Sequence, residues 1–226
     1  MSSDPNSPSL IIFDCDGVLV DTETQLNQQL VHHLAELGVT VDLKDCFELF
    51  VGKTMSAIQD YVGEQTGKRP GEDWVAHVRE HDMAILQQGV DAIDGAREIV
   101  ETLQRRKMPY CVASSGRIVK MTTTLTGAGL FDHFKDVLFS AEMVGKGKPA
   151  PDLFLYAAAT MGHAPETCLV IEDSLPGVQA AVAAGMPVLG YAGNEYSDGA
   201  ALQAAGATLI ADLRGALDFI FQKAQV

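Results

Sequence analysis

The feature that most restricts the fold is a series of short apolar runs separated by stretches of helical length. Leu10-Ile11-Ile12-Phe13, Tyr110-Cys111-Val112-Ala113, Val137-Leu138-Phe139, Cys168-Leu169-Val170-Ile171, Pro187-Val188-Leu189 and Thr208-Leu209-Ile210 are all of strand length. The first has no polar position, the pattern of a strand buried on both faces. Between the later runs, helical patterns fall around Ile99, Val100 and Leu103, over Ile118–Thr126, over Asp152–Met161, near Gly177–Ala184 and at the end of the chain. Strands that alternate with helices of this length predict a parallel sheet covered on both faces.

One block breaks the alternation. From Thr24 to Gly89 the spacing is helical throughout. Leu26, Leu30, Leu34 and Leu37 share a face and stop at Gly38, and a second helix spans Leu43–Phe50. Thr54 caps a third, with Met55, Ile58, Tyr61 and Val62 as its apolar stripe. After the turn Gly67–Gly71, Trp74, Val75, Val78, Ile85 and Leu86 mark a fourth. The fold class expected is therefore α/β: a Rossmann-like doubly wound parallel sheet core with an inserted all-helical cap domain. Residues 1–9 are expected to be a disordered N-terminus, 10–22 and 91–226 the core, and 23–90 the cap.

Composition narrows the partners. A net charge of −14 argues against a nucleic-acid backbone or an anionic membrane as partner through a broad basic face. A small anion remains possible, because a few local cations and a metal reverse the field inside a pocket. Cys15, Cys46, Cys111 and Cys168 lie far apart with no C-x-x-C pair, which fits thiols in a reducing compartment. The polar start, Met1–Pro8, lacks the basic and apolar regions of a signal peptide, and no apolar run is long enough for a bilayer. The location expected is the cytoplasm.

The first apolar run ends at Asp14, with Asp16 two residues on and Gly17 allowing a sharp turn. Paired carboxylates at the mouth of a buried strand repel unless a cation or proton intervenes. Two readings fit these residues alone: a hard-cation site suited to Mg2+ with a carboxylate left for chemistry, or an ordinary surface turn. The ends of the other strands decide. Parallel sheets bind ligands at the carboxyl ends of their strands. There lie Ser114 and Ser115 after the second run, and Glu172, Asp173 and Ser174 after the fourth. Lys148 sits between them in Gly147-Lys148-Pro149-Ala150-Pro151-Asp152, where the prolines favour an extended path. Carboxylates suit Mg2+, while hydroxyls, amides and a lysine suit a phosphoryl group. Helix capping or surface charge explains each alone; their coincidence on one rim points to a site.

Asp14-Cys15-Asp16-Gly17-Val18-Leu19-Val20-Asp21-Thr22-Glu23, the Ser114-Ser115 turn, Lys148-Pro149 and Glu172-Asp173-Ser174 resemble, in order, the four signature motifs of the haloacid dehalogenase-like superfamily. The resemblance spans nearly the whole chain. It is nearest to the branch of sugar-phosphate phosphatases and β-phosphoglucomutases, whose helical cap follows the first motif. The resemblance implies Asp14 as nucleophile, forming an aspartyl-phosphate, and Asp16 as acid and then base. It implies Mg2+ held by Asp14, the Asp16 carbonyl and Asp173 with Glu172 close by. Ser114 and the Ser115 amide would bind phosphoryl oxygens, and Lys148 would offset negative charge. Asp16 separates the chain from the haloalkanoic-acid dehalogenases it also resembles.

In the cap, Lys53 and Arg79 are the cationic candidates for substrate, with Arg117 after the serine turn as a third. Asp21, Thr22 and Glu23 read as hinge. Gly52-Lys53-Thr54 is no nucleotide-binding P-loop, because Phe47 occupies the position of its first glycine. His77-Val78-Arg79-Glu80-His81 matches H-x-x-E-H, but no third ligand is identifiable further along, and the histidines read as solvated cap surface. Cys15 is expected to pack away from its flanking aspartates. The function expected is a Mg2+-dependent phosphatase for small phosphorylated metabolites, sugar phosphates or phosphorylated sugar acids, in a monomer or small homo-oligomer. Ala92-Ile93-Asp94-Gly95-Ala96, where mutase-like members carry Pro-Gly, is similar to the sugar-acid phosphatases. A hexose-phosphate mutase is the alternative, and a non-catalytic metabolite-binding protein a third reading.

Overall fold

The computed structural model describes residues 7–50, 53–194 and 197–221. The chain opens with β1 (Leu10–Phe13) and then runs through four helices, α1 (Glu23–Glu36), α2 (Leu43–Phe50), α3 (Met55–Thr66) and α4 (Glu72–Leu86). It continues through α5 (Ala96–Arg106), β2 (Tyr110–Ser114), α6 (Ile118–Gly127), α7 (Phe131–Phe134), β3 (Leu138–Ser140), α8 (Asp152–Met161) and β4 (Cys168–Glu172). The end is α9 (Leu175–Ala183), β5 (Val188–Tyr191), α10 (Gly199–Ala204), β6 (Thr208–Ile210) and α11 (Ala216–Ile220).

The strands form one parallel sheet in the order β3-β2-β1-β4-β5-β6. That is the Rossmann order, and it reverses direction beside β1, where such sheets open a crevice. β1 is central and wholly buried because its side chains serve both faces. Ile11 and Phe13 pack with Val112, Ile171, Leu103 and Phe134 on one side. Leu10 and Ile12 pack with Ala113, Val170, Phe154 and Ala157 on the other. Each side chain so buried stabilises by about 1.5–3 kcal/mol, which fixes the register of β1 against both neighbours.

A third apolar cluster belongs to the inserted helices. Leu30 and Leu34 of α1 meet Cys46 and Phe50 of α2 and Ile58 and Val62 of α3, with Trp74 at the margin. The Thr54 hydroxyl accepts from the Ala57 amide at 3.2 Å and starts α3, as its sequence position predicts. The two chain crossings between sheet and cap run side by side. The Asp21 amide donates to the Asp91 carbonyl at 2.9 Å and the Ile93 amide to the Leu19 carbonyl at 3.1 Å.

Several expectations shift. β3 begins one residue later than its apolar run and ends in Ser140. α9 starts at Leu175 rather than Gly177, because the Ser174 hydroxyl caps it by accepting from the Gly177 amide at 3.2 Å, with a proline in its first turn. Of the start expected to be disordered, residues 1–6 lie outside the described ones. Ser9 departs from that expectation: its amide donates to the Thr167 carbonyl at 2.7 Å, and its hydroxyl lies 2.8 Å from His163 Nδ1. All four cysteines are free thiols and buried. Among the described residues, no helix is long and apolar enough to cross a membrane.

Candidate active site

Three adjacent strands, β2, β1 and β4, end in polar side chains at the same rim: Ser114, Asp14 and Glu172. Asp14 follows β1, is buried, and receives Lys148 Nζ at 2.5 Å on Oδ1. The same ammonium donates to Glu172 Oε1 at 2.7 Å. Glu172 Oε2 in turn accepts from the Ser174 amide at 2.7 Å and the Ser174 hydroxyl at 2.8 Å. Both Glu172 oxygens thus accept hydrogen bonds, one from Lys148 and the other from the start of α9. Asp14, Glu172 and Asp173 are the carboxylates gathered at this point of the rim.

Glycines make this crowding possible. Gly17 has φ +77°, and a Cβ there would collide with the Asp173 carboxylate. Gly177 sits so close to Glu172 that any side chain would displace its carboxylate. The loops after β1 and β4 thus close on each other across the crevice.

Charge in this cluster does not balance. Among the described residues, Lys148 is the one cation in contact with this group of three carboxylates, bonded to Asp14 and Glu172. Burial, with Glu172 adding repulsion, pushes the Asp14 carboxyl up to about 7 against the pull of Lys148. Burial, then Glu172, Asp14 and Glu23, hold the Asp173 carboxyl well above the usual carboxylate range. Burial alone would depress the Lys148 ammonium, but Asp14 and Glu172 outweigh it and raise it. An all-oxygen set with surplus negative charge fits a hard divalent cation such as Mg2+.

Asp16 is held separately. Its Oδ2 accepts from Lys120 Nζ at 2.9 Å and its Oδ1 from the Thr22 hydroxyl at 2.8 Å. Lys120 and Thr22 are functional candidates that sequence reasoning missed, one as a helix lysine and the other as hinge. The available signal was position: Lys120 lies in the first turn of α6, the helix that leaves the serine turn. Ser114 is buried at the end of β2, and its hydroxyl accepts from the Gly116 amide at 3.0 Å, while Ser115 is exposed on the rim. Cys15 points into the core beneath, where burial and then Asp16 and Asp14 hold its thiol protonated.

Above this rim lies a cleft of about 250 Å³ between core and cap. Asp16, Thr22 and Lys120 line its floor; Leu30, Phe50, Lys53, Met55, Ile58, Val78 and Asp82 line its cap side. Lys53 is thus where the sequence suggested. The other two candidates are not. Arg79 is exposed on α4, where its neighbour Val78 takes the inward position. Arg117 is also exposed and spends its guanidinium on Glu142 Oε1, at 2.9 Å.

A Rossmann-like parallel sheet with acidic strand ends and inserted helices over them defines a capped α/β protein with a site at the strand ends. A family description of haloacid dehalogenase-like hydrolases matches residues 8–185. A 6-phosphogluconate phosphatase from Escherichia coli is 30% identical, the match covering 83% of this chain and 84% of the relative. A haloacid dehalogenase-like protein from Agrobacterium tumefaciens superposes with a TM-score of 0.84 at 32% identity, over 94% of this chain and 97% of its own. A hydrolase of the same family from Deinococcus radiodurans, solved with bound phosphate and sodium, superposes with a TM-score of 0.82 at 32% identity, over 94% and 96%. The chain belongs to the haloacid dehalogenase-like hydrolases and, within them, is a phosphoric monoester hydrolase.

Proposed function

We propose that this enzyme is a Mg2+-dependent phosphatase for a small sugar phosphate or phosphorylated sugar acid, working through an aspartyl-phosphate on Asp14. The observation that carries the reading is the division of labour between two carboxylates, a buried Asp14 and a half-buried Asp16. Asp14 is fixed by Lys148 with its other oxygen left for attack, while Asp16 is fixed independently by Lys120 and Thr22.

In the first half-reaction an Asp14 oxygen attacks phosphorus in line. The bond from phosphorus to the ester oxygen breaks, and Asp16 gives that oxygen its proton. In the second, Asp16 takes a proton from water as the water oxygen attacks the same phosphorus. The Asp14–phosphorus bond then breaks and releases inorganic phosphate. Ser114 and the Ser115 amide are the donors for non-bridging oxygens, and Lys148 offsets the charge that builds on them. Asp14, Asp173 and the Asp16 carbonyl would hold Mg2+, which when bound supplies fixed positive charge to Asp14 and the phosphoryl oxygens. The mostly apolar cap wall with Lys53 suits a compact polyol chain carrying one anionic end, and the name of the E. coli relative favours a sugar acid.

The test is phosphate release from a panel of hexose phosphates, polyol phosphates and 6-phosphogluconate, with Mg2+ and with chelator. Mg2+-dependent release of phosphate from a sugar or sugar-acid phosphate is the result expected. Formation of an isomeric phosphate without release would make the chain a mutase. Absence of turnover across the panel would favour a non-catalytic metabolite-binding protein.

A further inference from the structure

A second cluster of chemistry-bearing side chains lies in the cap, away from the carboxylate rim. His33 on α1 meets His77 and His81 on α4. Ring centroids are 5.4 Å apart for His33 and His77, 5.1 Å for His33 and His81, and 4.4 Å for His77 and His81. One ring nitrogen from each lies within 4.8 Å of the other two. His77 and His81 are one turn apart on a single face, the geometry that lets two imidazoles share an ion. The third ligand absent from the downstream sequence is thus supplied from upstream, by packing of α1 on α4.

His33 is the telling member. Its residue is 2% exposed, and neither ring nitrogen has a hydrogen-bond partner. Glu36 Oε2 stands 3.6 Å from Nδ1, beyond hydrogen-bond reach. A buried imidazole with both nitrogens unsatisfied costs stability, and coordination would remove that cost. Burial shifts this ring toward the neutral state that binds metal; Glu36 opposes that shift and the two neighbouring histidines reinforce it.

We propose that His33, His77 and His81 form a site for a borderline transition-metal dication of the Zn2+, Co2+ or Ni2+ type, distinct from the Mg2+ site proposed for the core. Three imidazoles are a poor set for Mg2+, which wants oxygen, and a good one for these ions. Tetrahedral coordination at about 2.1 Å places donor nitrogens about 3.4 Å apart, so the set closes by rotation of the exposed His77 and His81 rings. Glu36 or water completes it. Bound there, the ion cross-links α1, which leaves the hinge, to α4, which returns to it.

Tag-free protein in millimolar Mg2+, which occupies oxygen sites, is titrated with Co2+ and followed by visible absorption, then challenged with Zn2+. One equivalent of Co2+ should bind with a tetrahedral spectrum and be displaced by Zn2+. His77→Gln with His81→Gln, both exposed and hence compatible with folding, should weaken binding on the order of 100-fold or more; even an outer partner of a ligand is worth about 10–100-fold. At a hundredfold excess over Kd, Zn2+ should raise the melting temperature by roughly 5–10 °C in the parent and not in the double variant. Asp14→Asn should bind Co2+ as the parent does. Loss of the spectrum in Asp14→Asn, its persistence in the double histidine variant, or no binding by the parent at millimolar Co2+ would each overturn the site.

Discussion

The two walls of the cleft handle charge in opposite ways. On the core side three carboxylates are engaged by lysines distant in the chain: Asp14 and Glu172 by Lys148, Asp16 by Lys120. On the cap side the lining is mainly apolar, with Leu30, Phe50, Met55, Ile58 and Val78, plus an exposed Lys53 and a half-buried Asp82. The core wall holds charges in fixed positions at a cost in stability; the cap wall offers an apolar surface and one exposed cation, Lys53. The function proposed assigns chemistry to the first and substrate choice to the second, so substitutions on the two walls should differ in kind.

The largest effect is expected at Lys148. Its side chain is 4% exposed, and its removal leaves Asp14 and Glu172 buried without their cation. Lys148→Met should cost about 3–5 kcal/mol in urea denaturation of the chelated protein and lower kcat by about 10²–10³-fold. A variant with parental stability would show that the core wall is not an electrostatic frame.

Lys53→Ala probes the opposite wall. It should raise KM by about tenfold, the loss of about 1.4 kcal/mol of binding, with kcat nearly unchanged and stability within about 0.5 kcal/mol. Arg79→Ala, outside the cleft, should leave both constants unaltered. Equal effects from the two would erase the distinction between inward and outward faces of the cap.

The smallest expected effect is a pH dependence on the cap wall. Burial raises the Asp82 carboxyl from 3.8 to about 6, against Lys120 and His81. The native state then holds a proton that the unfolded chain releases, so this group lowers stability as pH rises from about 4 to 6 and levels off above. Denaturation midpoints measured across that range should fall less steeply in Asp82→Asn than in the parent. An unchanged slope would mean that Asp82 is hydrated.

The same contrast explains what could be read from the chain. Core positions were legible because a parallel sheet forces its strand ends onto one rim, so Asp14, Ser114 and Glu172 needed only their strands to be found. Thr54, Gly38 and the helix Asp152–Met161 carry local signals that tertiary packing did not override. Lys120 was hidden because a lysine on an amphipathic helix reads as solvated, and only packing of α6 beneath the cleft turns it toward Asp16. The bonds from Lys148 and from the Ser174 amide to Glu172 were not legible, because they depend on how the loops after β3 and β4 meet. His33 was illegible for the related reason that helix–helix contact, not spacing, brings it to His77 and His81. Arg79 and Arg117 show the limit of charge type alone, which does not tell the face a cation occupies; both are exposed in the fold.

The central claim is that Asp14 carries the phosphoryl group between two half-reactions. Acid-quenched mass spectrometry during turnover of a phosphorylated sugar or sugar acid tests it directly. A phosphoryl adduct on the peptide containing Asp14, absent together with turnover in a folded Asp14→Asn variant, is the result predicted. Near-normal phosphate release by Asp14→Asn would contradict it.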